Sequence, residues 1–376
     1  MLRQLIGTPS VSSVSRDFDS GNRAVIDLVA GWLDDLGFTV EVQPLAHHPD
    51  KANLVATLGS GPGGLVLAGH ADTVPCDPEL WRADPLTLTE RDGALHGLGV
   101  SDMKSFFAFA VEAASRVDAR ALQEPLVVVA TADEESTMAG ARALAAAKRL
   151  RGRWAIVGEP TSARPVHRHK GIFMDAVRVT GHAGHSSDPR LGVNAIEVMH
   201  RVIGELQLAR ADLVAQHHDA GFALPHPTLN LGRVVGGDNP NRICPSCELH
   251  YDCRVLPGMD LAATRAALRA RVERAVVGTG AALAFEALME GVPALESVPG
   301  SKLVEAAEAL LQARAESVAF ATEAPYLRAL GIETLIAGPG DIAVAHQPDE
   351  SLALASIEPY LGFLGRMIQR CCIQPA

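Results

Sequence analysis

The stretch LVLAGHAD, residues 65–72, joins an uncharged apolar run to a histidine and an aspartate. Two similar runs, LVVVA at residues 126–130 and AIV at residues 155–157, are also followed at once by polar or acidic residues. Short apolar runs rich in β-branched residues are typical of strands that are buried on both faces of a parallel sheet. The three runs therefore predict an α/β fold with polar side chains at the carboxyl ends of its strands.

Helix-like and strand-like segments alternate up to about residue 173, which predicts a mostly parallel central sheet flanked by helices. The middle of the chain differs, because its predicted elements follow the order βαββαβ of a small α+β sandwich. The 376 residues favour two domains. We expect a discontinuous domain, residues 1–173 and 293–376, interrupted by an inserted α+β domain, residues 174–292. The predicted helices lie at residues 22–36, 103–117, 138–148, 194–208, 261–276 and 302–315.

The composition, with 48% hydrophobic and 20% charged residues, is that of a folded globular protein. The formal net charge of −11 argues against nonspecific binding to nucleic acid and suits a cationic or metal partner. No apolar run approaches the roughly 18 to 20 residues of a membrane span, and the N-terminus lacks the apolar stretch of a signal peptide. We therefore expect a cytoplasmic protein that binds neither nucleic acid nor membrane.

The six cysteines do not suggest a secreted disulfide framework. Cys244 and Cys247 form a C-x-x-C pair, but no second pair completes a four-ligand zinc site. We expect these cysteines to be buried or bystander thiols. Four further histidines are expected in exposed loops without a chemical role: His47, His48, His217 and His218.

Candidate metal ligands follow the three predicted buried strands. The ligand candidates at these strand ends are His70, Asp72, Glu134, Glu135 and Glu159. A further carboxylate, Asp102, follows the Gly-rich turn GLGVSDMK, and His346 lies in the late loop GPGDIAVAHQPDE. Carboxylates that converge on one edge of a sheet repel one another unless a cation neutralises them.

Two divalent ions suit this set, because histidine and carboxylate together are typical ligands of zinc or cobalt. A shared carboxylate can hold two metals about 3.5 to 4 Å apart, with a bridging water that becomes hydroxide near neutral pH. Only one of Glu134 and Glu135 needs to bind metal, which leaves the other as a general base. Asp72, two residues after His70, is placed to orient the imidazole.

Each of these residues alone also has an ordinary structural interpretation. A His-x-Asp sequence after a strand forms hydrogen-bonded turns, and adjacent glutamates suit the first turn of a helix. Glu159 could lie in a surface loop, and Asp102 could cap the helix that follows it. The placement of all of them after successive predicted strands favours the metal site.

The segments AGHADTVP, GLGVSDMKSF, TADEES, VGEPT, HKGIF, VTGHAGHSSDPRLGVNAIE and GPGDIAVAHQPDE resemble the acetylornithine deacetylases. These enzymes belong to a larger family of dinuclear metallopeptidases with succinyl-diaminopimelate desuccinylase, aminoacylase and carboxypeptidase G-type enzymes. The resemblance covers essentially the whole chain. The metal-site motifs indicate the larger family, whereas HKG, GHSSDP with GVNAIE, and AHQPDE are more specific to the acetylornithine branch. Members usually carry additional residues before the segment matching LRQLIGTPS, so we expect a shortened first helix or a misassigned start.

The resemblance implies a role for each motif residue. One metal ion would be held by His70, Asp102 and Glu159, and the other by Asp102, Glu135 and His346, with Asp102 bridging the two ions. Glu134 would be the general base and acid, and Asp72 would support His70.

The inserted domain would be a lid and dimerisation domain. Its His185 matches a histidine that, in related dimeric enzymes, reaches into the partner's site to stabilise the oxyanion. Asn241 and Arg254 match positions associated with polar groups of the substrate. Glu323 is either a partner for the ornithine ammonium group or a solvated acid at a helix end.

The implied reaction is the hydrolysis of N-acetyl-L-ornithine to ornithine and acetate, a step of arginine synthesis. The implied enzyme is a homodimer that acts on a small N-acyl amino acid. Two alternatives remain: a related desuccinylase, aminoacylase or dipeptidase, and a catalytically silent member that serves binding.

Overall fold

In the computed structural model, which describes residues 1–46 and 48–375, the chain folds into two units. The first unit comprises Met1–His167, Ser297–Glu316 and Thr322–Ala376, and the second comprises Arg168–Glu296 and Ser317–Ala321. The second unit is therefore inserted into the sequence of the first.

Among the described residues, the helices are α1 (Leu2–Gly7), α2 (Arg23–Asp35), α3 (Ser105–Ser115), α4 (Ala139–Ala147), α5 (Ala195–Gln216), α6 (Leu261–Val276), α7 (Lys302–Leu311), α8 (Ala324–Ala329) and α9 (Ile357–Ile368). The strands are β1 (Thr39–Leu45), β2 (His48–Leu58), β3 (Leu65–His70), β4 (Thr89–Arg91), β5 (Ala94–His96), β6 (Leu126–Thr131), β7 (Trp154–Pro160), β8 (Val166–His169), β9 (Gly171–Thr180), β10 (Thr228–Gly236), β11 (Ser246–Val255), β12 (Ala282–Val292), β13 (Leu295–Glu296), β14 (Glu316–Val318), β15 (Glu333–Gly338) and β16 (Ser351–Ala353). Every helix in residues 1–46 and 48–375 is too short or too polar to cross a membrane.

The first unit is built on a mixed sheet in which the strands β1, β2, β6, β3, β7 and β15 lie side by side in that order. The strands β6, β3, β7 and β15 at its centre are parallel, whereas β1 and β2 form antiparallel pairs at one edge. The predicted α/β class with a helix-flanked sheet is confirmed. The parallel strands occupy the centre, and the edges are antiparallel.

The three apolar runs form the neighbouring strands β6, β3 and β7, and every residue in them is buried. Helix α3 packs closely against the ends of these strands. A side chain at Gly158 would lie 2.1 Å from the ring of Phe106, so the helix can approach only because this residue is glycine. The close packing brings the turn before α3, which carries Asp102, next to the carboxyl ends of β3 and β7.

The second unit has an antiparallel sheet of four strands among the described residues, in the order β10-β11-β9-β12. Buried and partly exposed residues alternate along β11, as expected for a sheet with one covered face. Helices α5 and α6 pack against this sheet, and their buried residues share a core with it. The predicted order βαββαβ is confirmed.

Helix α6 is tied to the sheet of the second unit by a buried ion-pair cluster. The carboxylate of Asp175 in β9 is fully buried and lies 3.2 Å from Nε of Arg265 and 3.0 Å from Nε of Arg269. The hydroxyl of Tyr251 donates a hydrogen bond of 3.1 Å to the same carboxylate. Since removal of one partner leaves the other charges buried and unpaired, this cluster stabilises the second unit in one arrangement.

Candidate metal centre

The carboxyl ends of the parallel strands bring four buried polar residues and the partly exposed Glu135 together in the first unit. Strand β3 ends at His70, strand β7 contains Glu159 near its end, and β6 leads into Glu134 and Glu135. Asp102 joins them from the turn before α3. His70, Asp102, Glu134 and Glu159 are each less than a tenth exposed. The structure therefore brings these predicted residues together at one edge of the sheet.

The hydrogen bonds of His70 leave one ring nitrogen available to a metal ion. Its Nδ1 lies 3.0 Å from the main-chain carbonyl of Asp72. A carbonyl oxygen can only accept, so Nδ1 carries the proton, and Nε2 is directed at the carboxylate of Asp102 at 3.0 Å. This is the usual arrangement of a metal-binding histidine, whose second nitrogen donates to a carbonyl or carboxylate.

Asp72 contacts its neighbours through both its main chain and its side chain. Its carbonyl oxygen accepts from His70, while its side-chain Oδ1 lies 3.8 Å from the same ring nitrogen. The other carboxylate oxygen, Oδ2, accepts a 3.1 Å hydrogen bond from the main-chain N–H of Glu135. The main chain of Asp72 therefore orients the imidazole, and its side chain holds the turn that carries the paired glutamates.

Asp102 lies between two imidazole rings. Its Oδ1 is 3.0 Å from Nε2 of His70, and its Oδ2 is 3.2 Å from Nε2 of His346. The same nitrogen of His346 is 3.0 Å from Oε1 of Glu135. One carboxylate that faces two histidines through its two different oxygens has the geometry required of a bridging ligand.

The charges at this site favour a positive ion. Burial disfavours a charged His70, but the hydrogen bond to Asp102 and the nearby negative charge of Glu159 outweigh burial and raise the pKa of His70 well above its usual value. Hydrogen bonds to Asp102 and Glu135 raise the pKa of His346 to about 10. Positive charge is thus stabilised at both imidazoles.

At Glu134 and Glu159, by contrast, the surroundings disfavour the charged form of the side chain. Burial, and then the negative charge of Glu159, raise the pKa of Glu134 well above its usual value. Burial, and then the charge of Asp102, do the same to the pKa of Glu159. Among the described residues, Oε1 of Glu159 has no hydrogen-bond partner. A buried, unpaired carboxylate oxygen beside other acids is stabilised by a cation, so the residues fit a bound metal ion.

Within residues 1–46 and 48–375, two groups of side chains have ligand atoms that all lie within 4.8 Å of one another: His70 with Asp102 and Glu135, and His70 with Glu134 and Glu159. These groups contain four of the five predicted ligands, without His346, and include Glu134, and they divide the residues differently from the assignment that the resemblance implies. Glu135 shares a group with His70, and Glu159 shares one with Glu134.

The turn that carries Glu134 and Glu135 is held by residues that the sequence analysis did not identify. Asp133 has a left-handed backbone with φ of 59°, which aspartate tolerates better than most residues. Its Oδ1 accepts from Nζ of Lys51 at 2.6 Å and from the hydroxyl of Ser12 at 2.9 Å. Lys51 and Ser12 lie 82 and 121 residues before Asp133, so no local pattern connects them.

Glu323 immediately precedes α8 and is 1% exposed, so it is not a solvated acid at a helix end. Its Oε2 accepts from the hydroxyl of Thr131 at the end of β6. Burial raises the pKa of Glu323, while the positive charge of His70 lowers it. The hydrogen bond with Thr131, the last residue of the strand that leads to Glu134, places Glu323 near the metal candidates of the first unit.

The other three predicted site residues belong to the second unit. His185 is exposed, and its Nδ1 lies 2.7 Å from the hydroxyl of Ser187 and 3.2 Å from the main-chain nitrogen of that residue. Asn241 is exposed, and its carbonyl accepts from the main-chain N–H of Ser186. Arg254, in β11, donates from Nε to both carboxylate oxygens of Asp252 at 3.2 Å.

The residues expected to have no chemical role are placed as follows. Cys244 and Cys247 are free, buried thiols. His48 is exposed but lies in strand β2 and not in a loop, whereas His217 and His218 directly follow α5. His47 lies outside the described residues.

The fold and this cluster of histidines and carboxylates define a class of metallohydrolases. Residues 66–370 match Peptidase family M20/M25/M40, and the chain belongs to this family. Membership assigns it to the hydrolases that act on amide bonds. The chain is 47% identical to an acetylornithine deacetylase of Proteus mirabilis, covering 99% of this chain and 96% of that protein. It is 46% identical to an acetylornithine deacetylase of Pasteurella multocida, covering 99% and 97%.

Solved structures share the fold at much lower sequence identity. An M20 family metallo-carboxypeptidase from Sulfolobus solfataricus superposes with a TM-score of 0.77 at 16% identity, covering 98% of this chain and 97% of that chain. A tripeptidase from Staphylococcus aureus gives a TM-score of 0.76 at 18% identity, covering 98% of both chains. A Bacillus subtilis protein described as a dinuclear metal binding peptidase gives 0.65 at 17% identity, covering 98% and 95%. The fold of the family is thereby confirmed.

Proposed function

We propose that this chain hydrolyses N-acetyl-L-ornithine to L-ornithine and acetate. The observation that carries the proposal is Asp102, whose two carboxylate oxygens face His70 and His346 beside the buried Glu134. The substrate is inferred from relatives named acetylornithine deacetylase that match nearly the whole chain at 45–47% identity.

Two divalent ions, zinc or cobalt, would be held by this cluster. We assign His70, Asp102 and Glu159 to one ion and Asp102, Glu135 and His346 to the other, with Asp102 shared. When bound, such ions polarise the substrate carbonyl and make a water more acidic. The unpaired Oε1 of Glu159 and the proton on Nδ1 of His70 both support this assignment.

Glu134 would be the general base and acid. Its carboxylate takes a proton from the attacking water and then delivers the proton to the amine nitrogen that leaves the acetyl group. The carboxylate of Glu134 has a ligand atom within 4.8 Å of those of His70 and Glu159, which places it beside the proposed ions. Asp72 supports the site by orienting His70 and by accepting from the N–H of Glu135.

The inserted segment, residues 174–292, would serve as the lid and dimerisation domain of a homodimer. His185 is our candidate for stabilising the oxyanion. The main-chain N–H of Ser187 donates to Nδ1 of His185, so a neutral ring carries its proton on Nε2, where it can be donated to an oxyanion. Asn241, Arg254 and Glu323 are candidates for contacts with the polar groups of the substrate, and the buried Glu323 is the acid suited to an ammonium group.

This activity would place the protein in the cytoplasm, in the synthesis of arginine, with no nucleic-acid or membrane partner. The related deacylases are the alternative, because the same metal centre can serve another acyl group.

A comparison of substrates tests the proposal. We expect the metal-loaded protein to show a larger kcat/KM for N-acetyl-L-ornithine than for succinyl-diaminopimelate, N-acetyl-L-methionine or an unmodified dipeptide. The rates should be measured side by side at one zinc or cobalt concentration. A larger value for the succinylated substrate or the dipeptide would assign the chain to a sister activity. No hydrolysis of any of them by metal-loaded protein would support a catalytically silent member.

A further inference from the structure

Glu350, at the end of the loop that carries His346, makes an unusual set of hydrogen bonds. Its side chain is buried, and the residue is 2% exposed. Its Oε1 accepts from the main-chain N–H groups of Ser101 at 2.6 Å and of Asp102 at 2.9 Å. Its Oε2 accepts from the N–H of Gly99 at 3.0 Å. One carboxylate therefore holds three main-chain groups of the turn that ends at Asp102.

The turn held by Glu350 has little freedom to adjust. Gly99 has a φ of +83°, and a side chain there would lie 2.8 Å from Lys104 and 2.9 Å from Thr73. The hydroxyl of Ser101 donates to the carbonyl of Asp341 at 3.1 Å and accepts from the N–H of the same residue at 2.9 Å. The turn before α3 and the loop that carries His346 are thus connected at both Ser101 and Glu350.

A buried lysine lies beside the same turn. Lys104 is 1% exposed, and its Nζ donates to the carbonyl of Thr8 at 2.7 Å. Burial lowers the pKa of Lys104 to about 7, and the charge of Glu350 only partly offsets this effect. Burial raises the pKa of Glu350 to about 7, and the hydrogen bonds from the three N–H donors partly offset this effect.

We propose that Glu350 is a positioning residue for the metal centre, which fixes the main chain of Asp102 so that its two oxygens face His70 and His346. The proposal rests on the metal-binding part of the proposed function. Hydrogen bonds from main-chain N–H groups to a carboxylate are stronger than those between neutral groups, and they constrain direction. Because Glu350 and His346 lie in the same loop, one residue sets the separation of two metal ligands.

Metal affinity tests this role without any substrate. Glu350→Gln retains the size of the side chain but replaces one acceptor oxygen with an NH2 group, which faces N–H donors. We expect a loss of zinc affinity of roughly 10- to 100-fold, the usual effect of removing a group that orients a metal ligand. Zinc affinity should be measured by competition with a chromophoric chelator, and folding by circular dichroism.

Glu350→Asp separates geometry from charge. Aspartate retains a carboxylate but withdraws it by one methylene group, so it cannot reach all three N–H groups. We expect weaker zinc binding in this variant as well. Zinc affinity within twofold of wild type in either folded variant would overturn the proposal.

Asp175→Asn is the matched control, because Asp175 is an equally buried carboxylate in the second unit. This variant should melt at a lower temperature and bind zinc with unchanged affinity. An equal loss of zinc affinity in Asp175→Asn would show that general destabilisation explains the effect, and would also overturn the proposal. A wild-type protein that binds zinc but hydrolyses a different amide would contradict the substrate assignment and leave this test intact.

Discussion

Glu134→Gln is expected to lower kcat for N-acetyl-L-ornithine by about 10²- to 10⁴-fold, the usual contribution of a general acid–base group. Glutamine has nearly the same shape, but its amide cannot accept a proton from the attacking water. Glu134 has a ligand atom within 4.8 Å of those of His70 and Glu159, so the substitution removes the proton acceptor beside the proposed metal ligands. Acetate release under saturating substrate measures the effect.

The control for this prediction is metal content. Glu134→Gln should bind as much zinc as the wild-type protein, because Glu134 is not among the assigned ligands. Glu305→Gln, a change at an exposed residue of α7, should retain the wild-type rate. A kcat of Glu134→Gln near the wild-type value would exclude the residue as the general base. Loss of zinc together with activity would instead make Glu134 a ligand, as its grouping with His70 and Glu159 allows.

Asp102→Ala is expected to abolish measurable activity and to weaken the binding of both ions. The loss of affinity should exceed the roughly 10- to 100-fold seen when only an orienting group is removed, since Asp102 would be a direct ligand. The physical reason is its position, because its two oxygens face the imidazoles of His70 and His346 separately. Metal analysis of the purified protein after dialysis measures the outcome.

Asp77→Ala is the matched control for Asp102→Ala, because Asp77 is an exposed aspartate of the same unit. It should retain two ions and the wild-type rate. A folded Asp102→Ala protein that still bound two equivalents of zinc would contradict the bridging role. Retention of one equivalent would mean that Asp102 serves only one of the two ions.

The predicted ligand candidates could be recognised from short, continuous stretches of the sequence. The buried strands β3, β6 and β7 each contain an uninterrupted apolar run, and the candidate ligands stand at or just after the ends of these strands, so strand type and candidate position could be predicted together. The parallel arrangement of these strands then brings His70, Glu134 and Glu159 to one edge.

The residues that support the site could not be recognised from any short stretch of the sequence. Glu350 lies 248 residues after Asp102, and Lys51 lies 82 residues before Asp133. Both are charged residues, which are usually exposed, and their burial depends on partners supplied by distant segments. The orientation of His70 by the carbonyl of Asp72 also depends on backbone geometry. A sequence motif identifies the side chain but not the main-chain atom that acts.

The position of Glu323 could not be decided from sequence for a related reason. Helix α8 has six residues, too few for a clear periodic pattern, so an exposed and a buried glutamate were equally compatible with it. The contact with Thr131 at the end of β6 requires the tertiary fold. The antiparallel pairing of β2 with β6 likewise depends on a neighbour more than 60 residues away in the chain.

The most direct measurement is acetate release from N-acetyl-L-ornithine by metal-stripped protein, before and after addition of zinc or cobalt. Assignment of His70, Asp102, Glu135, Glu159 and His346 as ligands predicts negligible release by the stripped protein and rapid release once about two equivalents of metal are bound. Release that is unchanged by stripping would contradict a metal-dependent mechanism, and no release with two ions demonstrably bound would contradict N-acetyl-L-ornithine as the substrate.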